Sequence, residues 1–241
     1  MKIVALFDTH IPDHIRLTPI FGFIRDFHPD LVVLGGDLHN FDPASHWIAL
    51  QSMELDGKSL MKCYGELHRV LLKPLQDCVR RGTKIIYLTG NHEDWVRQTV
   101  NLNRNGQGYW ELENNIPKNI TILPLNIPYR VNDNLAYTHG ATAKTEYHAK
   151  KIVQDYHCSV FYGHTHDSQS YTSVSPLDVD KFYKAMSCGC LCNKNPSYAK
   201  NRPNRWVHGF HYCYVRKDET FHDVFVTIVN GGFYAEGRYY K

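Results

Sequence analysis

No run of about 18 consecutive apolar residues occurs in the chain, which removes a membrane-spanning helix from consideration. No small-residue cleavage site follows the apolar opening MKIVALF, which breaks at once into Asp8, His10 and Asp13; it reads as a buried strand, not a signal peptide. The seven cysteines lack a framework spacing, so the expectation is reduced thiols and a cytoplasmic protein rather than a disulfide-stapled secreted one. Internal repeats, low-complexity tracts and an obvious linker are also missing, which points to one domain spanning 1–241. Acid is absent between Asp180 and Asp218, while eight Lys and Arg fall there, Lys200, Arg202 and Arg205 among them. Net charge is only +3, so any anionic partner would be met by that segment and not by the whole surface.

Histidine is what the chain has in excess, with 15 residues, and it is the commonest metal ligand. Apolar, β-branched runs at 2–7, 31–35 and 84–88 read as buried strands. Helical patterns separate them, at 17–28 before Pro29 and at 58–81 before Gly82, with Pro74 expected to kink the second. Short strands at 120–123, 127–131 and 134–138 follow, the last two joined through Asn132, Asp133 and Asn134. A helix over 144–156 and a strand at 158–162 come next. The last third reads as β, at 169–174, 181–187, 208–216, 221–229 and 232–239, and is expected to supply a second sheet.

Each polar cluster stands just after one of these strands: Asp8 and His10, Asp37, Asn91 and His92, His139, then His164 and His166. Layered α/β folds collect their ligands at the carboxyl ends of strands, so five strands deliver these residues to one rim. Mixed Asp, His and Asn donors suit manganese, iron or zinc better than calcium. The alternations Asp8-x-His10 and His164-x-His166 are expected to put two ligands on one side of an extended segment. Asp37 can bridge two ions about 3.5–4 Å apart, and such a pair acidifies a water between them.

The ordered pieces FDTH, GGD, GNHE, THG and GHTH resemble the calcineurin-like metallophosphoesterase superfamily from residue 2 to about 166. The short chain is similar to phage and bacterial members. The resemblance implies a four-layer α/β/β/α sandwich of two mixed β-sheets flanked by helices. It implies that Asp8, His10 and His166 hold one divalent ion and Asn91, His139 and His164 the other, with Asp37 bridging. Manganese is the first choice of metal, with iron, zinc or nickel as alternatives. His92 would then be the general acid to the leaving oxygen, with Glu93 or Asp94 orienting its neighbours.

The protein serine/threonine phosphatases of that superfamily carry arginines after GD and before GNHE, where they grip a dianionic monoester. Here the segments are GDLHNFD and LTGNHE, without arginine, and the acidic residue expected after GD is Asn40, a neutral group able to orient His92. The departure favours the phosphodiesterase or nuclease branch, cleaving diesters of nucleic acid or nucleotides with a hydroxide bridging the two metals. The rivals are a phosphomonoesterase on a small molecule or phosphoprotein, and a non-catalytic binding module. His39 and Asn40 are candidate substrate contacts, as are Lys200, Arg202 and Arg205, which stand among aromatic residues including Trp206, as a nucleic-acid strand requires. Asp13 and His14 are candidate orienting groups for the ligands. Residues 103–110 would form either a lid or a helix connection. Cys188, Cys190 and Cys192, with His208, His211 and Cys213, fit a buried strand face better than a zinc site. Nothing in the sequence sets the oligomeric state.

Overall fold

The computed structural model describes residues 1–45, 59–143, 145–196 and 202–241. Three of the apolar runs become β1 (Lys2–Leu6), β2 (Leu31–Leu34) and β3 (Lys84–Leu88), and β4 (Ile120–Leu123) joins them. They run parallel, with Ile3 beside Leu31, Leu31 beside Lys84 and Ile85 beside Ile120. A parallel sheet is covered on both faces, which is why these strands are apolar throughout rather than alternating.

Two strands expected on the second sheet lie here instead. β10 (Gly209–Val215) pairs antiparallel with β1, Val4 facing Tyr212, and β11 (Phe221–Thr227) pairs with β10. The reason is the edge of β1, whose backbone and buried side chains need a partner that no earlier strand supplies.

The second sheet has the order β5 (Tyr129–Arg130), β6 (Leu135–Thr138), β7 (Ser159–Tyr162), β9 (Asp178–Ser187), β8 (Ser170–Ser175). β6, β7 and β9 are parallel, while β5 and β8 close the two edges antiparallel. Residues 232–239 are not one strand. β12 (Phe233–Ala235) and β13 (Arg238–Tyr240) form a hairpin turned by Glu236 and Gly237, both left-handed.

Alternation sorts the side chains into layers. Ile3, Ala5, Phe7, Val33 and Ile86 point between the sheets and meet Leu135, Tyr137 and Phe161. Val4, Leu6, Val32 and Leu34 point outward and are covered by α1 (Thr18–Phe27), α2 (Leu60–Leu67) and α3 (Lys73–Cys78) through Ile20, Phe23, Leu67, Leu71 and Leu75. α4 (Asn91–Leu102) and α5 (Leu112–Asn115) extend this layer, although the sequence reading placed no helix there. On the far side Val160 and Tyr162 pack against Ala149, Ile152 and Val153 of α6 (His148–Tyr156). The result is the four-layer α/β/β/α arrangement with two mixed sheets. The helix expected over 58–81 is continuous from Leu60 to Cys78 through a π turn at His68–Leu72, where the Lys73 amide bonds the His68 carbonyl just before Pro74, which has no amide hydrogen to donate. Residues 58 and 144, the expected starts of two helices, lie outside the described residues. No helix among the described residues is long and apolar enough to cross a membrane.

Candidate metal centre

All five strand-end clusters meet at one rim. Asp8, His10 and His166 bring donor atoms within 4.8 Å of one another, and so do Asp37, His139 and His164. Asp37 touches both sides: its Oδ2 is 3.4 Å from His139 Nε2 and 3.9 Å from His10 Nε2. Asn91 Oδ1 lies 3.2 Å from His139 Nε2 and 3.0 Å from His164 Nδ1. The structure therefore brings all seven candidate residues together at one rim.

These contacts have the character of a cation cage. His10 Nε2 and His166 Nε2 face each other at 3.2 Å, so both rings turn a nitrogen to the same point. Ligands about 2.0–2.2 Å from an ion stand about 3.0–3.6 Å apart, and the pairs here lie at 3.0 to 3.9 Å. Asp8 Oδ1 is buried and makes no hydrogen bond of good geometry, its nearest polar neighbour being His166 Nε2 at 3.3 Å, so this carboxylate oxygen has room for a cation. The residues present thus fit a pair of divalent ions.

Burial alone would discharge His139, yet the Asp37 carboxylate outweighs it and lifts the ring to about 10. His166 is raised in the same way, burial being overcome by Asp8. His10, with burial and the nearby His92 both against its charge, falls to about 3. Burial would raise both carboxylates, and the facing histidines keep both below the usual range.

The backbone at the ligands departs from expectation. Asp8, His10, Asp37, His164 and His166 all have positive φ, between 48° and 68°, so the alternating pairs sit on left-handed turns rather than extended chain. Each such non-glycine residue costs on the order of 1 kcal/mol or more, which the surrounding contacts must offset. The glycines of GNHE and GHTH allow the tight approach: a Cβ on Gly90 would lie 2.2 Å from an Asp37 carboxylate oxygen, and one on Gly163 2.2 Å from an Asp8 oxygen.

Hydrogen bonds fix each ring's tautomer. His139 Nδ1 donates to Gly35 O at 2.8 Å. His10 Nδ1 donates to the side-chain oxygen of Asn40 at 3.0 Å, and Asn40 Nδ2 donates to Asp13 at 2.8 Å. Asn40 was expected to steady His92 through its amide; its main-chain oxygen does so, accepting from His92 Nδ1 at 2.7 Å, because the side chain is already engaged by His10. Asp13 thus supports a ligand, whereas His14 only bonds Pro12. Of the two acids after His92, Glu93 is the organiser. Buried, it accepts from the amides of Asp37, Leu38 and Gly90 and from the Tyr87 hydroxyl. Asp94 pairs with Arg97 instead.

A cavity of 440 Å³ opens over the centre, and its described lining includes Asp37, Asn40, Asn91, His92, Trp95 and Trp206. No Lys or Arg is among the described lining residues. His39 is not among them either: its Nε2 donates to Glu66 at 3.2 Å and its Nδ1 accepts from Phe41 N, so both ring nitrogens are engaged within the fold. Arg202 and Arg205 are exposed and do not line the cavity, and Lys200 lies outside the described residues. Residues 103–110 form a helix connection with Trp110 packed under Gly106, not a lid.

The three alternating cysteines do not share a strand face. Cys188 faces the core between the sheets, while Cys190 and Cys192 form a loop behind His166, with Cys192 Sγ 3.7 Å from His166 Nδ1. His208 bonds the Cys192 carbonyl, and His211 lies between the sheets stacked on Phe161, so neither joins Cys190 and Cys192, whose sulfurs group within 4.8 Å, among the described residues, only with His166, a residue of the Asp8 group. Trp95 and His148 escaped the sequence reading, and Trp206 entered it only as one aromatic of the basic segment. Trp95 follows His92 by one helical turn, a spacing visible only once α4 is recognised. Trp206 packs on His166 at 4.3 Å. His148 of α6 donates to Asp167 at 2.9 Å and accepts from Tyr162 at 2.5 Å, which clamps the loop carrying His164 and His166.

Two mixed sheets flanked by helices, with this donor set at the strand ends, define a protein of the metallophosphoesterase fold. No family model matches the chain. Over its whole length it is 27% identical to the Gene 54 protein of Mycobacterium phage D29 and 26% identical to that of Mycobacterium phage L5, each alignment covering 98% of the relative. Among solved structures it is similar to Vps29 of Entamoeba histolytica, described as a complex with Zn2+, with a TM-score of 0.51 over 97% of this chain and 96% of that one at 12% identity.

Proposed function

We propose that the chain is a metal-dependent phosphodiesterase acting on nucleotides or nucleic acid. The observation that carries this is the joining of two metal-ready groups through Asp37, with His92 beside them at the floor of an open cavity. Two divalent ions held by Asp8, His10 and His166 and by Asn91, His139 and His164, with Asp37 between, would neutralise phosphoryl oxygens and acidify a water; manganese suits the donors.

The chain's own residues supply the rest. His92 is held from both ends, its amide donating to Asp37 Oδ1 at 2.9 Å and its Nδ1 to Asn40 O. Its Nε2 is left toward the cavity, 4.0 Å from Asp37 Oδ2, where it can give a proton to a departing alkoxide. The lack of Lys and Arg among the described lining residues favours a diester over a monoester, because a terminal dianion would need such partners. The test is a matched pair of aryl phosphate esters assayed with manganese. The diester should be cleaved with the higher kcat/KM; a strong preference for the monoester, or inertness toward both, would overturn the assignment.

A further inference from the structure

Five aromatic rings stand in a row along the cavity. Trp95 packs on His92 at 4.0 Å, His92 on His10 at 4.7 Å, His10 on His166 at 5.0 Å and His166 on Trp206 at 4.3 Å. The three histidines in the middle belong to the phosphate-handling centre; the two indoles are its ends. Both are half-buried, so each keeps part of its ring accessible. Neither is loosely placed. Trp95 is on α4 one turn beyond His92, and Trp206 is anchored by the neighbouring Val207 amide, which donates to the His166 carbonyl at 2.8 Å.

Beyond the phosphate, then, the described lining offers a ligand indole surface and a few neutral or acidic groups, Asn40, Asp42 and Ser45, and no basic side chain. Indole faces bind planar rings by stacking. In a duplex the base faces are covered by their neighbours, so only unpaired bases can present them. The 440 Å³ cavity falls in the range of about 300–1,000 Å³ usual for small-ligand sites, room for a dinucleotide step but not for a double helix.

Resting on the phosphodiesterase reading above, we infer that the substrate is a phosphodiester between unpaired nucleosides, with one base stacked on Trp95 at the leaving-group side and the other on Trp206 across the metal centre. His92 lies next to Trp95, so the leaving nucleoside is the one that Trp95 holds.

The experiment compares kcat/KM, with manganese, for thymidylyl-thymidine and for the same backbone with both bases replaced by hydrogen. Stacking contributes about tenfold or more per base, so the wild-type ratio should be at least tens. Trp95→Ala and Trp206→Ala should each reduce that ratio about tenfold, with manganese binding measured by calorimetry on each variant. Equal rates on the two substrates, or a ratio unchanged in both variants, would overturn the stacking assignment while leaving the phosphodiesterase reading intact. Cleavage of an aryl monoester with neither dinucleotide touched would overturn that reading and this inference with it. The wild-type comparison stands even where a tryptophan variant does not fold.

Discussion

The Sγ atom of Cys192 lies 3.7 Å from Nδ1 of His166, so a thiol holds the position behind this ring that a carbonyl holds behind His139 and an amide oxygen behind His10. Sulfur is the weakest acceptor of the three, which leaves His166 the least firmly oriented ligand by hydrogen bonding. Trp206 and the Asp8 carboxylate make up the remainder of its support.

Replacing Cys192 with valine keeps the volume and removes the acceptor. Groups that orient metal ligands typically change affinity by about 10–100-fold. Manganese titration by calorimetry should show one weakened site and one unchanged site. Equal weakening of both, or of neither, would mean that the sulfur is only packing.

His92→Ala should lower turnover of a diester by about 10²–10⁴ and leave manganese affinity close to wild type, because Asp8, His10 and His166 and Asp37, His139 and His164 each form a group without it, although its ring also lies within reach of His10 and Asp37. Loss of metal together with activity would reassign His92 as a ligand.

Glu93→Ala leaves three amides and the Tyr87 hydroxyl without their buried acceptor. Burial and the nearby Asp37 raise the Glu93 pKa, so the carboxylate is costly in itself, but the stranded donors cost more. Urea denaturation should show a loss of about 3 kcal/mol or more. Glu93→Gln, which keeps acceptor capacity at one oxygen, should recover part of it.

Stability should fall with acid. His211 is buried with Nε2 unpartnered, and burial pushes its pKa from 6.5 to about 3. Below pH 6.5 the unfolded chain takes a proton that the folded one refuses, so stability present above pH 6.5 is lost as pH falls toward 3. The slope for one group is about 1.4 kcal/mol per pH unit. His10 acts in the same direction in the metal-free protein. His211→Phe, stacked on Phe161 as the histidine is, should remove one group's share of the slope between pH 6 and 4. An unchanged slope would dismiss His211 as its source.

The convergence of the candidate ligands is legible because each follows a strand whose apolar run is unmistakable, and strand ends in this architecture converge. The two layers of helix and sheet were legible for the same reason. What sequence could not give was set by contacts between distant segments. β10 pairs with β1 across some 200 residues, so nothing local to Phe210 or Tyr212 announces which sheet it enters. His39 reads like a site residue until Glu66, 27 positions on, is seen to take its ring. The cysteine loop reaches His166 only through the fold, since Leu191 N bonds Asp8 O and Cys190 N bonds Val207 O. The left-handed ligand backbone has only a weak signature in residue type, for histidine and aspartate adopt it several-fold more often than most non-glycine residues yet still uncommonly.

That backbone has a consequence for the stability of the chain. At Asp8, His10, Asp37, His164 and His166 glycine or asparagine would rest more comfortably than the residues present. Losing a ligand there relieves strain and buried charge together. The five residues are thus held against a standing cost in folding stability, which a glycine or asparagine at the same position would lower.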